Sequence, residues 1–230
     1  IATFLSTIDQ KIQQLTRKKE LLESYKKGLM QQLFSGELRF KGEEGKEYPD
    51  WEEKRLENVC TYFSGGTPTS TNREYYSGTI PFIGSGNIYD SEVFNYISEE
   101  ALDSSSAKIV EEGDLLYALY GANSGEVAIS KINGAINQAI LCIRSKENIH
   151  YLYYLLLFNK DKIVAKYLQG GQGNLSAKII KRLSYRLPSA KEQNKIASAL
   201  GSFDQKIDSI QTQITKTQSF KKGLLQKMFV

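Results

Sequence analysis

Apolar residues recur at heptad spacing over both ends of the chain, as Leu5, Ile8, Ile12, Leu15, Leu22 and Leu29 and again as Leu200, Phe203, Ile207, Ile210, Ile214 and Leu224. Such spacing predicts amphipathic helices with a single apolar seam each. The two ends are also copies of one another. Ile1, Ala2, Leu5, Asp9, Gln10, Lys11, Ile12, Ser24, Lys26, Lys27, Gly28, Leu29, Gln31 and Phe34 return without a gap 195 positions later. The second helix has a start signal, Ser189 followed by Glu192, a capping box directly after Leu187-Pro188. The first has none, so the chain is expected to begin inside an element. At ~1.5 Å per residue a helix of this kind reaches about 50 Å, long enough to act as a spacer or a docking surface. Gly28 and Gly223 occupy equivalent places, where glycine costs ~1 kcal/mol against alanine. A frayed or ended helix and the close approach of another helix are the two readings.

Between the helices the pattern changes to glycines, turn dipeptides and short β-branched or aromatic runs. Strands are predicted at Ile80 to Ile83, Asp114 to Tyr120, Glu126 to Ile129 and Ile140 to Arg144. An apolar helix is predicted from about Ile149 to Leu168 with Asn148 as its cap, and a shorter one from Ser176 to about Leu183. The expected architecture is α+β: a spacer helix over 1–35, one globular domain over 36–188, and a repeat of the helix over 189–230, the helices pairing as an antiparallel coiled coil.

Composition narrows the function. With 40% hydrophobic and 24% charged residues and no apolar run near the ~18 a membrane span needs, the chain reads as a cytoplasmic globular protein. Two cysteines, Cys60 and Cys142, and one histidine, His150, do not supply a zinc site or a His-based triad. Phe82-Ile83-Gly84-Ser85-Gly86 imitates the opening of an S-adenosylmethionine site, but the Asp/Asn-Pro-Pro-aromatic motif of an amino-methyltransferase is absent, since Pro49, Pro68, Pro81 and Pro188 are all isolated. Glu111, Glu112 and Asp114 could imitate a nuclease metal site, and a solvated turn is the simpler reading. No catalytic centre and no metal site are read here.

The net charge of +4 divides into +3 over 1–35, +4 over 191–230 and −3 over 36–190. Inside the domain 90–126 carries −8 and 160–186 carries +6, so the latter is the segment suited to phosphate. It contains Gln169-Gly170-Gly171-Gln172-Gly173-Asn174-Leu175-Ser176, an amide-rich loop entering a helix N-terminus. Gln and Asn bond bidentately to adenine, and a helix N-terminus favours an anion. Two further polar loops, Thr67 to Arg73 and Tyr120 to Gly125, complete a set suited to reading base edges, although each alone is compatible with an ordinary surface turn.

Gly65-Gly66-Thr67-Pro68, Tyr76-x-Gly78-x-Ile80-Pro81-Phe82-Ile83, Gly113-Asp114-Leu115-Leu116, Asn137-Gln138-Ala139-Ile140 and Leu187-Pro188 with Glu192-Gln193-x-x-Ile196-Ala197 together resemble the DNA-specificity (S) subunit of type I restriction-modification enzymes. The resemblance covers essentially the whole chain. It implies a target-recognition domain that reads one half of a bipartite site in double-stranded DNA, with helices that set half-site spacing and dock methyltransferase (M) subunits. S-adenosylmethionine would come with those M subunits and ATP with restriction (R) subunits, none being bound by this chain. The residues expected at base edges or in a groove are Thr69, Asn72, Arg73, Ser85, Asn87, Tyr120, Asn123, Gln172, Asn174 and Ser176; those expected at phosphate are Lys178, Lys181 and Arg182. The family pattern has two recognition domains, whereas this sequence has one, as in the C-terminal half of a subunit or in a half-length version that pairs with a second copy. A coiled-coil scaffold whose domain binds protein is the alternative from another class, and a stand-alone DNA methyltransferase a third.

Overall fold

In the computed structural model, which describes residues 2–168 and 174–228, the elements run in chain order from helix α1 (Ala2–Ser35) through β1 (Glu52–Arg55), α2 (Leu56–Val59), β2 (Cys60–Ser64), β3 (Ile80–Ile83) and β4 (Tyr96–Ile97). They continue with α3 (Glu99–Asp103), β5 (Lys108–Val110), β6 (Leu115–Ala118), β7 (Val127–Ile129), β8 (Gly134–Ile136) and β9 (Ile140–Ser145). The last are α4 (Ile149–Leu168), α5 (Ala177–Lys181), β10 (Ser184–Leu187) and α6 (Ala190–Met228). Two compact units result, one of Ile1–Phe40 with Lys195–Val230 and one of Lys41–Asn194.

In the helical unit α1 and α6 pack antiparallel, as the fold expected from the heptads requires. Leu15 packs with Ile210 and Ile214, flanked by Leu22, and the Tyr25 and Phe203 rings lie 5.4 Å apart. Ion pairs close both sides of this seam: Lys26 Nζ to Asp204 Oδ1 and Lys221 Nζ to Asp9 Oδ1, each 2.5 Å. Asp9 and Asp204 are equivalent in the repeat, as are Lys26 and Lys221, so one sequence written twice makes the same clasp twice about a pseudo-two-fold. Ile8, Leu15, Leu200, Ile210 and Ile214 are buried, while Leu5, Ile12, Leu22, Leu29, Phe203, Ile207 and Leu224 are half-buried. Gly28 and Gly223 fit neither sequence reading: both helices run on past them, and a Cβ at either would meet nothing within 4 Å. Helix α1 ends instead at Gly36, whose φ of +79° places it in the left-handed region, with the Leu38 amide donating to Gln32 O at 3.0 Å. That is the glycine-terminated helix end in which late amides satisfy orphan carbonyls.

The second unit is built on two four-stranded sheets, ordered β2-β9-β6-β7 and β4-β3-β8-β5, with a small β1-β10 pair beside them. The first is antiparallel throughout, and in the second β3 runs parallel to β8. The sheets share one core. Ile83, Val110 and Ile136 from one pack with Leu116, Ala118, Ala128, Ile140 and Cys142 from the other. A second cluster, Phe82, Ile97, Ala101, Ala107 and Ala135, draws on β3, β4, β8 and α3.

The strand at Ile80–Ile83 and the helix at Ile149–Leu168 have the bounds expected from sequence, and Asn148 caps the helix by accepting from the Tyr151 amide at 2.9 Å. The capping box before α6 does not form: Ser189 Oγ is buried without a hydrogen-bond partner, and Glu192 accepts from Trp51 Nε1 at 3.1 Å. Burial of the helix start lets the indole N–H take the carboxylate that the motif assigns to a backbone amide. Among the described residues no helix is long and apolar enough to cross a membrane.

Candidate nucleic-acid interface

Two glycines admit the first polar loop to the domain surface. A Cβ at Gly65 would lie 1.7 Å from Ile136 O and one at Gly66 2.6 Å from Ser106 Cβ. Only a residue without a side chain lets the chain pass this close to β8. Beyond them Thr67 Oγ1 donates to Gln138 Oε1 at 2.6 Å, and Tyr76 Oη donates to Pro68 O at 2.7 Å. Thr69 and Arg73 are exposed. Asn72 is half-buried, and its Oδ1 caps the Arg73–Tyr76 turn by accepting from the Glu74 amide at 3.1 Å. An Asn at this place is occupied locally through its oxygen, leaving its amide nitrogen for other partners.

Two more polar segments lie side by side. Ser85–Asn87 forms a 3₁₀ turn directly after β3, and Tyr120 to Gly125 joins β6 to β7. A Cβ at Gly86 would stand 3.7 Å from Asn123 Nδ2, and one at Gly121 4.0 Å from Ser85 Oγ. Ser85, Asn87, Tyr120 and Asn123 are half-buried at this meeting point. Asn87 Nδ2 donates to Asp90 Oδ2 at 2.9 Å, which fixes the amide's orientation. Asn137 also belongs here: its Nδ2 would be 3.8 Å from a Cβ at Gly84, and its Oδ1 accepts from the Ala139 amide at 3.0 Å. Asn137 and Gln138 were missed as site residues although their motif was visible, because nothing in an Asn-Gln pair says which loops it will touch. The Phe82–Gly86 stretch supplies a turn beside these amides, and at Gly84 and Gly86 no close approach demands glycine.

The long connection 120–126 is internally braced. Ser124 Oγ donates to Leu119 O at 2.9 Å, and the Gly125 and Glu126 amides donate to Ala118 O and Asn123 O, each at 2.9 Å. Gly125 has a φ of +89°, and a Cβ there would lie 2.5 Å from Val164 Cγ2 of α4. Burial opposes the charge of Glu126, but hydrogen bonds from Lys160 and Tyr89 together with the Lys160 charge outweigh it and hold the carboxyl below its usual range.

The acidic residues of the Gly113-Asp114 turn serve the fold. Asp114 accepts from Arg144 Nε at 2.7 Å and Nη2 at 2.6 Å, and from the Glu111 amide at 2.8 Å. Burial alone would raise its pKa, but the Arg144 guanidinium and the amide hold it below the ordinary 3.8. Burial, with Asp114 beside it, pushes the neighbouring Cys142 thiol up to about 12. Among the described residues no three His, Cys, Asp or Glu are grouped to hold a metal ion.

The basic residues lie elsewhere. Ser176 caps α5 by accepting from the Ile179 amide at 3.4 Å, and Asn174, Ser176, Lys178 and Arg182 are exposed. Lys181 is half-buried, its Nζ 5.4 Å from the centre of the Tyr62 ring. Tyr62 belongs to β2 at one edge of the first sheet, whereas the 120–126 connection leads into β7 at the opposite edge. The α5 cations thus neighbour β2, whereas the Ser85–Asn123 cluster is built from the connections that follow β3 and β6. Gln172 lies outside the described residues.

Comparison with known proteins places this geometry. The family model described as the type I restriction modification DNA specificity domain matches residues 48–217. Two similar proteins are the MjaVIII and MjaIX type I restriction enzyme specificity subunits of Methanocaldococcus jannaschii, at 28% identity over 85% of this chain and 30% over 86%. The chain spans 46% and 48% of their lengths, about half. Two crystal structures share the fold. The S subunit of the M. genitalium type I restriction-modification system matches over 100% of this chain and 59% of its own, with TM-score 0.70 at 16% identity. The HsdS subunit of Thermoanaerobacter tengcongensis matches over 97% and 56%, with TM-score 0.58 at 18% identity. Paired long helices with a sheet domain carrying the matched motifs make this chain a member of the type I restriction-modification DNA specificity family.

Proposed function

We propose that this chain is the sequence-reading part of a type I restriction-modification complex, in which the 41–194 unit recognises one half of a bipartite DNA target and the paired helices dock methyltransferase subunits. The observation that carries the reading is the side-by-side placement of the Ser85–Asn87 turn and the Tyr120 to Gly125 loop, which concentrates hydroxyl and amide groups suited to base edges. Lys178, Lys181 and Arg182 would take phosphate, which positions without specifying. The chain would contribute recognition without chemistry of its own. S-adenosylmethionine and ATP would be held by the methyltransferase and restriction subunits, all acting in the cytoplasm.

The test uses the complete specificity subunit assembled with its methyltransferase, with the methylated sites mapped across genomic DNA and binding measured to a cognate and a scrambled duplex. Asn123→Ala should lower affinity for the cognate duplex by roughly 5- to 150-fold, as expected for a lost base contact worth ~1–3 kcal/mol, and relax the motif. Lys178→Ala should weaken binding to both duplexes and reduce the salt slope by about one. An unchanged motif with Asn87→Ala and Asn123→Ala combined would refute the assignment of these loops.

A further inference from the structure

The two segments assigned to base edges come from different elements, so their separation must be set by something between them. Each is stiff in itself: Asn87 is held by Asp90 and by its own amide to Gly84 O at 2.8 Å, and the 120–126 connection closes on Ala118, Leu119, Gly121 and Asn123. One residue spans the gap. Glu126 Oε2 accepts from the Tyr89 hydroxyl at 2.5 Å, in the segment that follows the Ser85–Asn87 turn. Its other oxygen, Oε1, is paired with Lys160 Nζ of α4.

A second observation fixes α4 as the reference for both. The Gly125 backbone is pressed on that helix, so that a Cβ would strike Val164 Cγ2 at 2.5 Å and approach Lys160 Cγ at 3.5 Å. Helix α4 is anchored by buried Tyr151, Leu152, Leu155, Leu156 and Ile163. Side chains of Glu126 and Lys160 are each 27% exposed, which shields the pair from much of the solvent screening that weakens surface ion pairs. Sequence alone gave no sign of this, since Glu126 and Lys160 read as members of an acidic and a basic stretch 34 residues apart.

We infer that Glu126 is a positioning residue for sequence recognition: by holding Tyr89 with one oxygen and Lys160 with the other, it sets the spacing of the two base-reading segments on α4 without touching DNA itself. This rests on the proposed reading of those segments. Displacement of a reading group degrades discrimination because base contacts depend on distance and angle, whereas phosphate attraction tolerates both.

The experiment measures, in the complete specificity subunit with its methyltransferase, the affinity ratio between cognate and scrambled duplexes. Glu126→Ala should lower that ratio about tenfold, comparable to one mismatched base pair, with the scrambled affinity changed by no more than about twofold. Tyr89→Phe removes one hydroxyl at an exposed position and should lower the ratio by a smaller factor at an unchanged melting temperature. Glu126→Gln keeps an acceptor for Tyr89 but loses the ionic pairing, and should fall between the two. If Glu126→Ala does not fold, the Gln and Tyr89→Phe variants carry the test. A merely structural role would lower stability and weaken both duplexes together, and that result overturns the inference. A full ratio retained in both Tyr89→Phe and Glu126→Gln, while Asn87→Ala and Asn123→Ala reduce it, overturns the inference and leaves the reading intact. A ratio untouched by Asn87→Ala and Asn123→Ala overturns the reading, and the inference with it.

Discussion

Asp114→Asn asks whether the Gly113-Asp114 turn is held by charge. The wild-type carboxylate accepts three hydrogen bonds, two from Arg144 at 2.7 and 2.6 Å and one from the Glu111 amide at 2.8 Å. An amide keeps the shape, but one accepting oxygen becomes an NH₂ group. Whichever way it turns, a donor then faces the guanidinium, through Nε at the Oδ1 position or through Nη2 at the Oδ2 position, where it also meets the Glu111 N–H. A hydrogen bond to a charged group contributes about 1.5–3 kcal/mol. The Asp114 side chain is 10% exposed while that of Arg144 is 42% exposed, so the arginine re-solvates and the loss lies near the lower end, about 2 kcal/mol. In a domain of this size that lowers Tm by about 4–8 °C. Because the folded pKa of Asp114 lies below 3.8, the stabilisation is complete above the unfolded value and disappears as pH falls through the folded one. Wild type and variant should thus differ by a constant amount from neutral pH down to about 5, and converge only below 3.8. Urea unfolding followed by the fluorescence of Trp51, the single tryptophan, at pH 7, 5 and 3 measures this. A loss under about 0.5 kcal/mol at pH 7, the range of featureless surface changes, or a difference that persists undiminished in acid, would refute the reasoning.

Gly65→Ala places a Cβ 1.7 Å from Ile136 O and should destabilise by about 3 kcal/mol or prevent folding, whereas Gly86→Ala, whose Cβ would meet Asn123 Nδ2 at an ordinary contact distance of 3.7 Å, should cost under about 1 kcal/mol; thermal melts compare them. In the helical unit Asp9→Lys or Lys221→Asp alone should lower stability by about 0.5–1 kcal/mol and the double reversal should restore most of it, read by circular dichroism; the twin pair Lys26–Asp204, with the lysine 12% exposed, should show the larger coupling. Cys60 and Cys142 are buried and their thiols are pushed up by burial, so iodoacetamide at pH 8 should leave both unmodified in the native chain and label both after denaturation, as counted by mass spectrometry.

How much was legible in the sequence follows from how local each signal is. The heptads and the repeat announced the helix pair because apolar residues of one seam meet apolar residues of the other, as Leu15 meets Ile210 and Ile214, so period alone identifies it. The strand Ile80–Ile83 and helix α4 were legible for similar reasons, an apolar run and a capped apolar helix. Strand β1 was not: Glu-Glu-Lys-Arg carries no apolar alternation and is a strand only because it pairs with β10, over a hundred residues away. Strand β8, Gly-Ala-Ile, is three residues long and is made a strand by β3 and β5 on either side. In the site, loop composition pointed to amides and hydroxyls, but not to which loops would meet. Ser85 and Asn123 come together because the two sheets that carry β3 and β6 pack on one core, and Glu126 finds Lys160 and Tyr89 through packing on α4. Ser189 illustrates the opposite failure, a strong local motif overridden when Trp51 claims the carboxylate it needs.

The charge distribution gains a physical sense from these placements. A domain of net −3 is a poor polyanion binder by its sum, yet several of its carboxylates are already spent: Asp114 on Arg144, Glu126 on Lys160, Glu147 on Lys54 and Gln193. Arg73, Lys178 and Arg182 are exposed and make no ion pair among the described residues. With screening over about 8 Å at physiological salt, a phosphate near them responds to these local cations more than to the domain's total.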